Sequence, residues 1–254
     1  SEAISFPVAD VVSAPVTYGH RFLSKGPINI GHPPEYVDGL RKNFITINED
    51  ERMEIIREGI SRIEKETGGQ AIRDEELVRE ILYITEYPYP LKGTFEEVYL
   101  GIPKEVLVNV MKAHQRYIPV EDSTGRLLPC FIFFANTVPK DDSNVVRGNE
   151  KVLRARLADA RFFFDEDRKV RLADRYERLA SIVFHVKLGT LKDKMERIRG
   201  ITLYLASILD PSAADKLERL ISLMKTDLVT HMVGEFPELQ GTMGRIYAEF
   251  EGED

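Results

Sequence analysis

Apolar residues recur with helical spacing in several stretches of the chain. In the first long stretch they share one helical face, at Met53, Ile56, Ile60 and Ile63. Spacings of three and four residues place side chains on one side of an α-helix. Asn48 with Glu51 three residues later predicts the N-cap of this helix, and Gly68-Gly69 predicts its end.

Capping residues predict further helices. Asp74 is expected to cap one helix, and Pro103 to occupy the first position of another. A charged helix is expected over residues 144–169, and Asp210 followed by proline starts a later one. Thr190 predicts an N-cap for a helix whose buried stripe is expected to comprise Leu191, Met195, Ile198, Leu205 and Leu209.

Short β-branched runs in the first half predict strands. These strands are expected at residues 5–12, 43–47 and 94–100, with a break at 86–90. A hairpin is expected around a turn at residues 122–125, and no strand from residue 144 onward. Strands mixed with helices in the first half, followed by helices alone in the second, predict an α+β fold. An α+β domain is expected at residues 1–145 and an all-α domain at residues 146–254.

The net charge of the chain limits the kinds of molecule that it is expected to bind. The chain of 254 residues has 35 Lys and Arg against 42 Asp and Glu, a net charge of −7. This balance argues against a general polyanion binder, but a local basic face can still contact phosphates. No apolar run approaches the roughly 20 residues of a membrane-spanning helix, so no membrane association is expected.

The sequence offers no catalytic centre of its own. Its single cysteine, Cys130, lies in an apolar run and is expected to be buried, which fits a reducing cytosolic compartment. The five histidines form no His-Asp pair and no H-E-x-x-H motif, and phosphate-binding glycine loops are missing. We therefore expect neither catalytic nor metal-ligating residues here.

Arginine is concentrated between residues 147 and 178, a segment that contains ten basic and seven acidic residues. Arg154, Arg156 and Arg161 are candidates for contacts with an RNA backbone, because the guanidinium fork fits phosphate. The alternative is a salt-bridged helix face. The sequence leaves both interpretations open.

Two other basic clusters are candidates for the same role. Lys112, Gln115, Arg116 and Tyr117 combine cationic, amide and aromatic groups that can hold a phosphate and stack a base. The alternative there is helix capping by the arginine and a half-buried tyrosine. A second cluster lies in the first turns of a predicted helix, where cations oppose the helix dipole and an anionic partner would account for them, at Lys192, Lys194 and Arg197. The alternative there is that water alone solvates these side chains.

Six motifs, in this order along the chain, resemble the β subunit of the bacterial heterotetrameric glycyl-tRNA synthetase. They lie at residues 17–28, 111–120, 125–136, 148–167, 187–198 and 232–248. The resemblance implies an internal piece of a longer subunit. Its first half is similar to an α+β domain of the phenylalanyl-tRNA synthetase β subunit. Its second half is similar to the start of an HD-type helical domain that is degenerate and lacks a metal site.

The resemblance also implies a reaction and its partners. In this family the α subunit joins glycine to tRNA with ATP and Mg²⁺, and the β subunit contributes tRNA binding and assembly. The expected enzyme is a cytoplasmic α2β2 glycine–tRNA ligase with glycine tRNA as substrate. The piece itself is expected to be non-catalytic and to need no cofactor.

Three hypotheses remain open at this point. The first is a tRNA-binding and assembly segment of the ligase, acting through the cationic candidates above. The second is a scaffold that assembles the subunits without touching RNA. The third, an HD-type phosphohydrolase or an editing hydrolase, ranks last because the His-Asp pair is missing and a glycine pocket excludes larger amino acids sterically.

Overall fold

The fold is α+β, with 59% helix and 14% strand in a computed structural model. The structure describes residues 6–9 and 11–253. The chain divides into two compact units, unit 1 with residues 1–96 and 111–154 and unit 2 with residues 97–110 and 155–254. The domain division at residue 145 stays a prediction. Within the described ranges, no helix combines the length and the apolarity needed to cross a lipid bilayer.

The helices are α1 to α9 in chain order. They are α1 Pro33–Lys42, α2 Glu49–Thr67, α3 Glu75–Ile84, α4 Lys104–Gln115, α5 Asp142–Asp167, α6 Leu191–Leu209, α7 Ala214–Leu223, α8 His231–Glu235 and α9 Thr242–Phe250. Short 3-10 helices lie at Glu97–Gly101, Ala173–Ser181, Pro211–Ala213, Thr226–Val229 and Pro237–Leu239.

The strands are mostly short and all pair antiparallel. They are β1 Pro7–Val8, β2 Val11–Val12, β3 Val16–Tyr18, β4 Pro27–Asn29, β5 Gln70–Ala71, β6 Tyr89–Thr94, β7 Ile118–Glu121, β8 Leu127–Ala135, β9 Val183–His185 and β10 Gly189–Thr190. A four-stranded sheet in unit 1 has the order β5-β7-β8-β6, and the other described strands form two-stranded hairpins.

Helix α2 begins and ends as predicted. The Asn48 side chain accepts a hydrogen bond from the Glu51 backbone N–H at 3.1 Å. Gly68 follows the helix with φ 68°, the left-handed conformation that ends many helices. Ile56 and Ile63 are fully buried, which confirms the predicted apolar face.

The core of unit 1 lies between α2, α3 and one face of the sheet. Asp74 caps α3 as predicted, since its carboxylate accepts from the backbone N–H groups of Glu76 and Leu77. The sheet contributes alternate residues to this core, and Cys130 is buried among them as predicted. The buried members from the sheet are Ala71, Ile118, Val120, Cys130 and Ile132.

Two predicted strands in the first half are wrong. Residues 43–47 form no strand, because the Ile45 N–H donates back to Leu40 of α1 and the Thr46 N–H to Glu86. In the predicted strand 5–12, β1 and β2 instead form a hairpin with Pro7 opposite Val12. Residues 5 and 10 lie outside the described part of the chain. Helix α1 had no counterpart among the sequence predictions.

The strand predicted at residues 94–100 is displaced toward the N-terminus. Strand β6 covers Tyr89–Thr94 and includes Pro90, part of the predicted break, because β6 is an edge strand where proline is tolerated. Pairing ends at Thr94, whose N–H donates to the Glu150 carboxylate at 2.8 Å. Pro103 lies one residue before α4 rather than at its first position.

The second half contains strands that the sequence analysis did not predict. β9 and β10 pair antiparallel, and Gly189 allows the tight return with φ 84°. The predicted Thr190 cap of α6 is confirmed as a capping box with Asp193. The hairpin therefore runs directly into the start of α6.

The predicted buried stripe of α6 is correct only near its N-terminus. Leu191 and Met195 are buried, whereas Leu205 is exposed and Leu209 is 79% exposed. Beyond Arg199 the helix presents an uncharged face to the surface. Its exposed apolar members are Ile201, Tyr204, Leu205, Ile208 and Leu209.

A buried ionic cluster organises the C-terminal part of unit 2. Asp167 ends α5, and its carboxylate accepts from the N–H groups of His231 and Met232 at 2.8 Å each. The Tyr247 hydroxyl donates to the same carboxylate at 3.1 Å, and Arg175 lies 3.6 Å from it. The carboxylate thus caps α8 and joins segments that are distant in sequence.

Candidate nucleic-acid interface

In unit 1, the two cations at and just after the end of α4 are paired with carboxylates of α3 and its cap. Lys112 Nζ lies 2.5 Å from Asp74 Oδ2, and the Arg116 guanidinium lies 2.6 Å from Glu80 Oε1. The hydrogen bond from Lys112 is the main reason that the pKa of Asp74 is lowered. Gln115 is half-buried at the end of the same helix. These pairs neutralise the positive charge of the cluster.

Tyr117 is not available for base stacking. Its side chain is only 3% exposed, and its ring stacks on Phe131 with a centroid distance of 4.5 Å. The hydroxyl donates to Asn149 Oδ1 at 2.7 Å, and burial raises the pKa of Tyr117 to about 12. The ring is buried against Phe131 of β8, so the aromatic role considered for it does not fit its position.

The arginines of α5 also lie beside carboxylates. Arg154 is 2.5 Å from Glu96, within unit 1. In unit 2, Arg156 is 3.6 Å from Glu235, and Arg161 is 3.8 Å from Asp165. This arrangement matches the paired helix face that the sequence left open as an alternative.

The start of α6 is different. Lys192 lies 2.6 Å from Glu177, and this contact raises the pKa of the lysine. Lys194 instead lies over the ring of Phe184, 4.1 Å from its centroid, and so joins α6 to strand β9. Among the residues the structure describes, no carboxylate lies within salt-bridge distance of Lys194 or Arg197.

The hairpin before α6 adds residues that the sequence analysis missed. Val186 is 93% exposed at the hairpin tip, and Lys187 next to it is exposed as well. The alternating run of residues 184–188, followed by glycine, is the sequence signal that could have revealed this hairpin. Hairpin and helix start together form the cationic hairpin surface, defined by Phe184, Val186, Lys187, Leu188, Lys192, Lys194 and Arg197.

The described residues show no cluster that could hold a metal ion. Within residues 6–9 and 11–253, no three His, Cys, Asp or Glu side chains are grouped so that they could hold a metal ion. Burial raises the pKa of the Cys130 thiol, which keeps it protonated and unreactive.

Comparison with known proteins identifies the family. The profile described as "Glycyl-tRNA synthetase beta subunit" matches residues 1–254. Proteins named glycine–tRNA ligase beta subunit from Trichlorobacter lovleyi and Geobacter sulfurreducens are each 46% identical to this chain over 251 residues, or 99% of it. The chain spans only 36% of the length of these two relatives. The resemblance carried by the six motifs is confirmed, and the chain belongs to the glycyl-tRNA synthetase beta subunit family.

Proposed function

We propose that this chain is a segment of a glycine–tRNA ligase β subunit that positions glycine tRNA for reaction on the α subunit. The observation that carries the proposal is the cationic hairpin surface. In a chain with a net charge of −7, it gathers four cations, three of which lie beyond salt-bridge distance of any carboxylate among the described residues: Lys187, Lys194 and Arg197. Local charge of this kind is what a phosphate backbone requires.

The surface combines two kinds of contact. Lys187, Lys194 and Arg197 offer cationic groups that are exposed or half-buried. Phe184 and Val186 are exposed apolar side chains beside them, and these can contact sugars or bases once the phosphates are held. The role is positional, because holding the tRNA backbone brings its acceptor end to a site on another chain.

The paired cations rank below this surface. A phosphate would have to displace the carboxylates now beside Lys112, Arg116, Arg154, Arg156 and Arg161, which lowers the gain from binding. Gln115 depends on the same α4 cluster, and Tyr117 is left out of the proposal because its ring is buried.

The proposal extends to the whole enzyme. The full reaction is ATP-dependent glycylation of tRNA by a cytoplasmic α2β2 ligase, with ATP and Mg²⁺ used by the α subunit. The first part of the chain would be related to an α+β domain of the phenylalanyl-tRNA synthetase β subunit. The second would be the start of a degenerate HD-type domain without catalysis.

A scaffold without RNA contact is the second candidate. It is favoured by the exposed apolar face of α6, which carries no charged residue between Arg199 and Asp210. Apolar faces of this type are typical of protein interfaces rather than RNA interfaces. The two roles can coexist, because the face lies beyond the cationic residues along α6.

The test is a titration of labelled glycine tRNA with the full-length β subunit and its α subunit. Charge reversal by Lys194→Glu with Arg197→Glu should weaken binding, and the slope of log affinity against log salt should fall by roughly one per lost phosphate contact. Lys65→Glu, an exposed change on α2, is the matched control. Unchanged tRNA affinity and salt slope in the double variant would reject this surface as the tRNA contact and favour the scaffold.

A further inference from the structure

An open groove of about 610 Å³ lies between α7 and α9 in unit 2. Its floor is aliphatic and comprises Leu220 and Leu223 of α7, Met224 directly after α7, and Ala248 of α9. Leu220 is 56% exposed although leucine gains free energy from burial. This volume is within the range of roughly 300–1,000 Å³ that is usual for ligand sites.

The rim of the groove is basic. Arg219 is held by Glu253, with Nε 2.9 Å from Oε2, and Arg245 donates to Glu249 at 2.8 Å. Lys216 and Lys225, also on the rim, have no carboxylate at salt-bridge distance within the described part of the chain. Two uncompensated cations therefore flank an apolar floor.

The carboxylates of the groove are already engaged. Asp227 is buried and accepts from the Gly241 N–H, which leads into α9, and Glu253 is paired with Arg219. These groups leave the positive charge of Lys216 and Lys225 available to an acidic occupant.

The aliphatic floor of the groove and its position beside α9 favour a helix as the occupant. Helix α9 has nine residues and is therefore about 13 Å long, and its side borders the groove. None of the described lining residues carries an aromatic ring, so the groove offers nothing on which a nucleobase could stack. Aliphatic floors between helices are typical of sites for amphipathic helices.

We propose that this groove binds an acidic amphipathic helix of another polypeptide. The apolar face of that helix would pack on Leu220, Leu223 and Ala248, and its Asp or Glu side chains would lie against Lys216 and Lys225. Apolar burial supplies the affinity and the charges set the orientation. The site is separate from the cationic hairpin surface and does not depend on the tRNA-binding proposal.

The test uses full-length β subunit and a fluorescein-labelled synthetic helix of about 15 residues, long enough to hold helical structure. Its leucines follow i, i+3, i+4, i+7 spacing and glutamates flank them. We expect saturable binding by fluorescence anisotropy. Ala248→Trp, which fills the floor, should weaken it by about tenfold or more, whereas Ala248→Ser should preserve it.

Charge provides an independent variant. Lys216→Glu with Lys225→Glu changes only exposed side chains, so the fold is preserved, and it should weaken the acidic peptide while strengthening a matched peptide with lysine in place of glutamate. tRNA binding should be unchanged in this variant. The proposal is overturned if the acidic peptide does not bind saturably, or if neither variant changes its affinity. It is also overturned if a single-stranded RNA oligonucleotide displaces the peptide at equal or lower concentration.

Discussion

Gly93 lies in β6 directly opposite Phe131 of β8, and a side chain at this position has no room. A Cβ built on Gly93 would collide with the Phe131 ring, whose Cε1 and Cε2 atoms would lie 2.7 and 2.9 Å away. Phe131 cannot swing aside freely, because it is fully buried and stacked on Tyr117. Gly93→Ala therefore forces the aromatic side of the sheet to repack.

The size of this effect follows from two opposing contributions. Overpacking a dense core costs about 1–3 kcal/mol. Replacing glycine lowers the entropy of the unfolded chain and returns about 0.4–1 kcal/mol. We expect Gly93→Ala to reduce the free energy of unfolding by about 1–2 kcal/mol.

The measurement is urea unfolding followed by far-UV circular dichroism, with the denaturant slope checked for constancy. Gly148→Ala is the matched control, because Gly148 lies within α5 and a Cβ there meets no atom within 4 Å. Alanine should stabilise that helix by up to about 1 kcal/mol. If Gly93→Ala proved as stable as the original protein while Gly148→Ala behaved as expected, the packing argument would be refuted.

Three further predictions concern charge and backbone. Asp167→Ala leaves the buried charge of Arg175 without its carboxylate partner and should destabilise unit 2 by about 3–5 kcal/mol, seen as faster hydrogen exchange of the α8 amides. The pKa of Asp74 in the folded state lies below its ordinary value of 3.8. The stabilisation that the Asp74 carboxylate provides is therefore complete above pH 3.8 and is lost as the pH falls through the lowered pKa. Asp74→Asn should accordingly flatten the acid side of a profile of melting temperature against pH. Gly68→Ala places a side chain at φ 68° and should cost about 1–2 kcal/mol in chemical denaturation, with exchange near the end of α2 accelerated.

Local signals were readable from the sequence. The caps at Asn48, Asp74 and Thr190 were predicted correctly because each acts on backbone N–H groups within three residues of itself. The hairpin of β7 and β8 was also predicted, since its turn residues lie next to each other in the chain. Caps and turns depend on neighbours in sequence, which a single sequence shows directly.

Features that depend on distant partners were not readable. Residues 43–47 look like a strand, but strand formation needs an edge to pair with, and none reaches them in the described structure. Leu205 and Leu209 continue the apolar period of α6, and only the packing decides that they are exposed. The same holds for the candidate site, because sequence alone did not show that Arg116 is paired and Lys194 is not.

The Asp167 cluster also constrains the order of events during synthesis on the ribosome. The groups that satisfy its carboxylate come from residues 64, 65 and 80 positions later in the chain. Until those residues emerge, the Asp167 carboxylate at the end of α5 is hydrated and lacks its native hydrogen-bond donors. Closing a loop of this length to bring the donors into place is late and slow. The nascent second unit therefore waits for α9, and a ribosome that stalls before residue 247 leaves a chain whose apolar surfaces are available to chaperones or to aggregation.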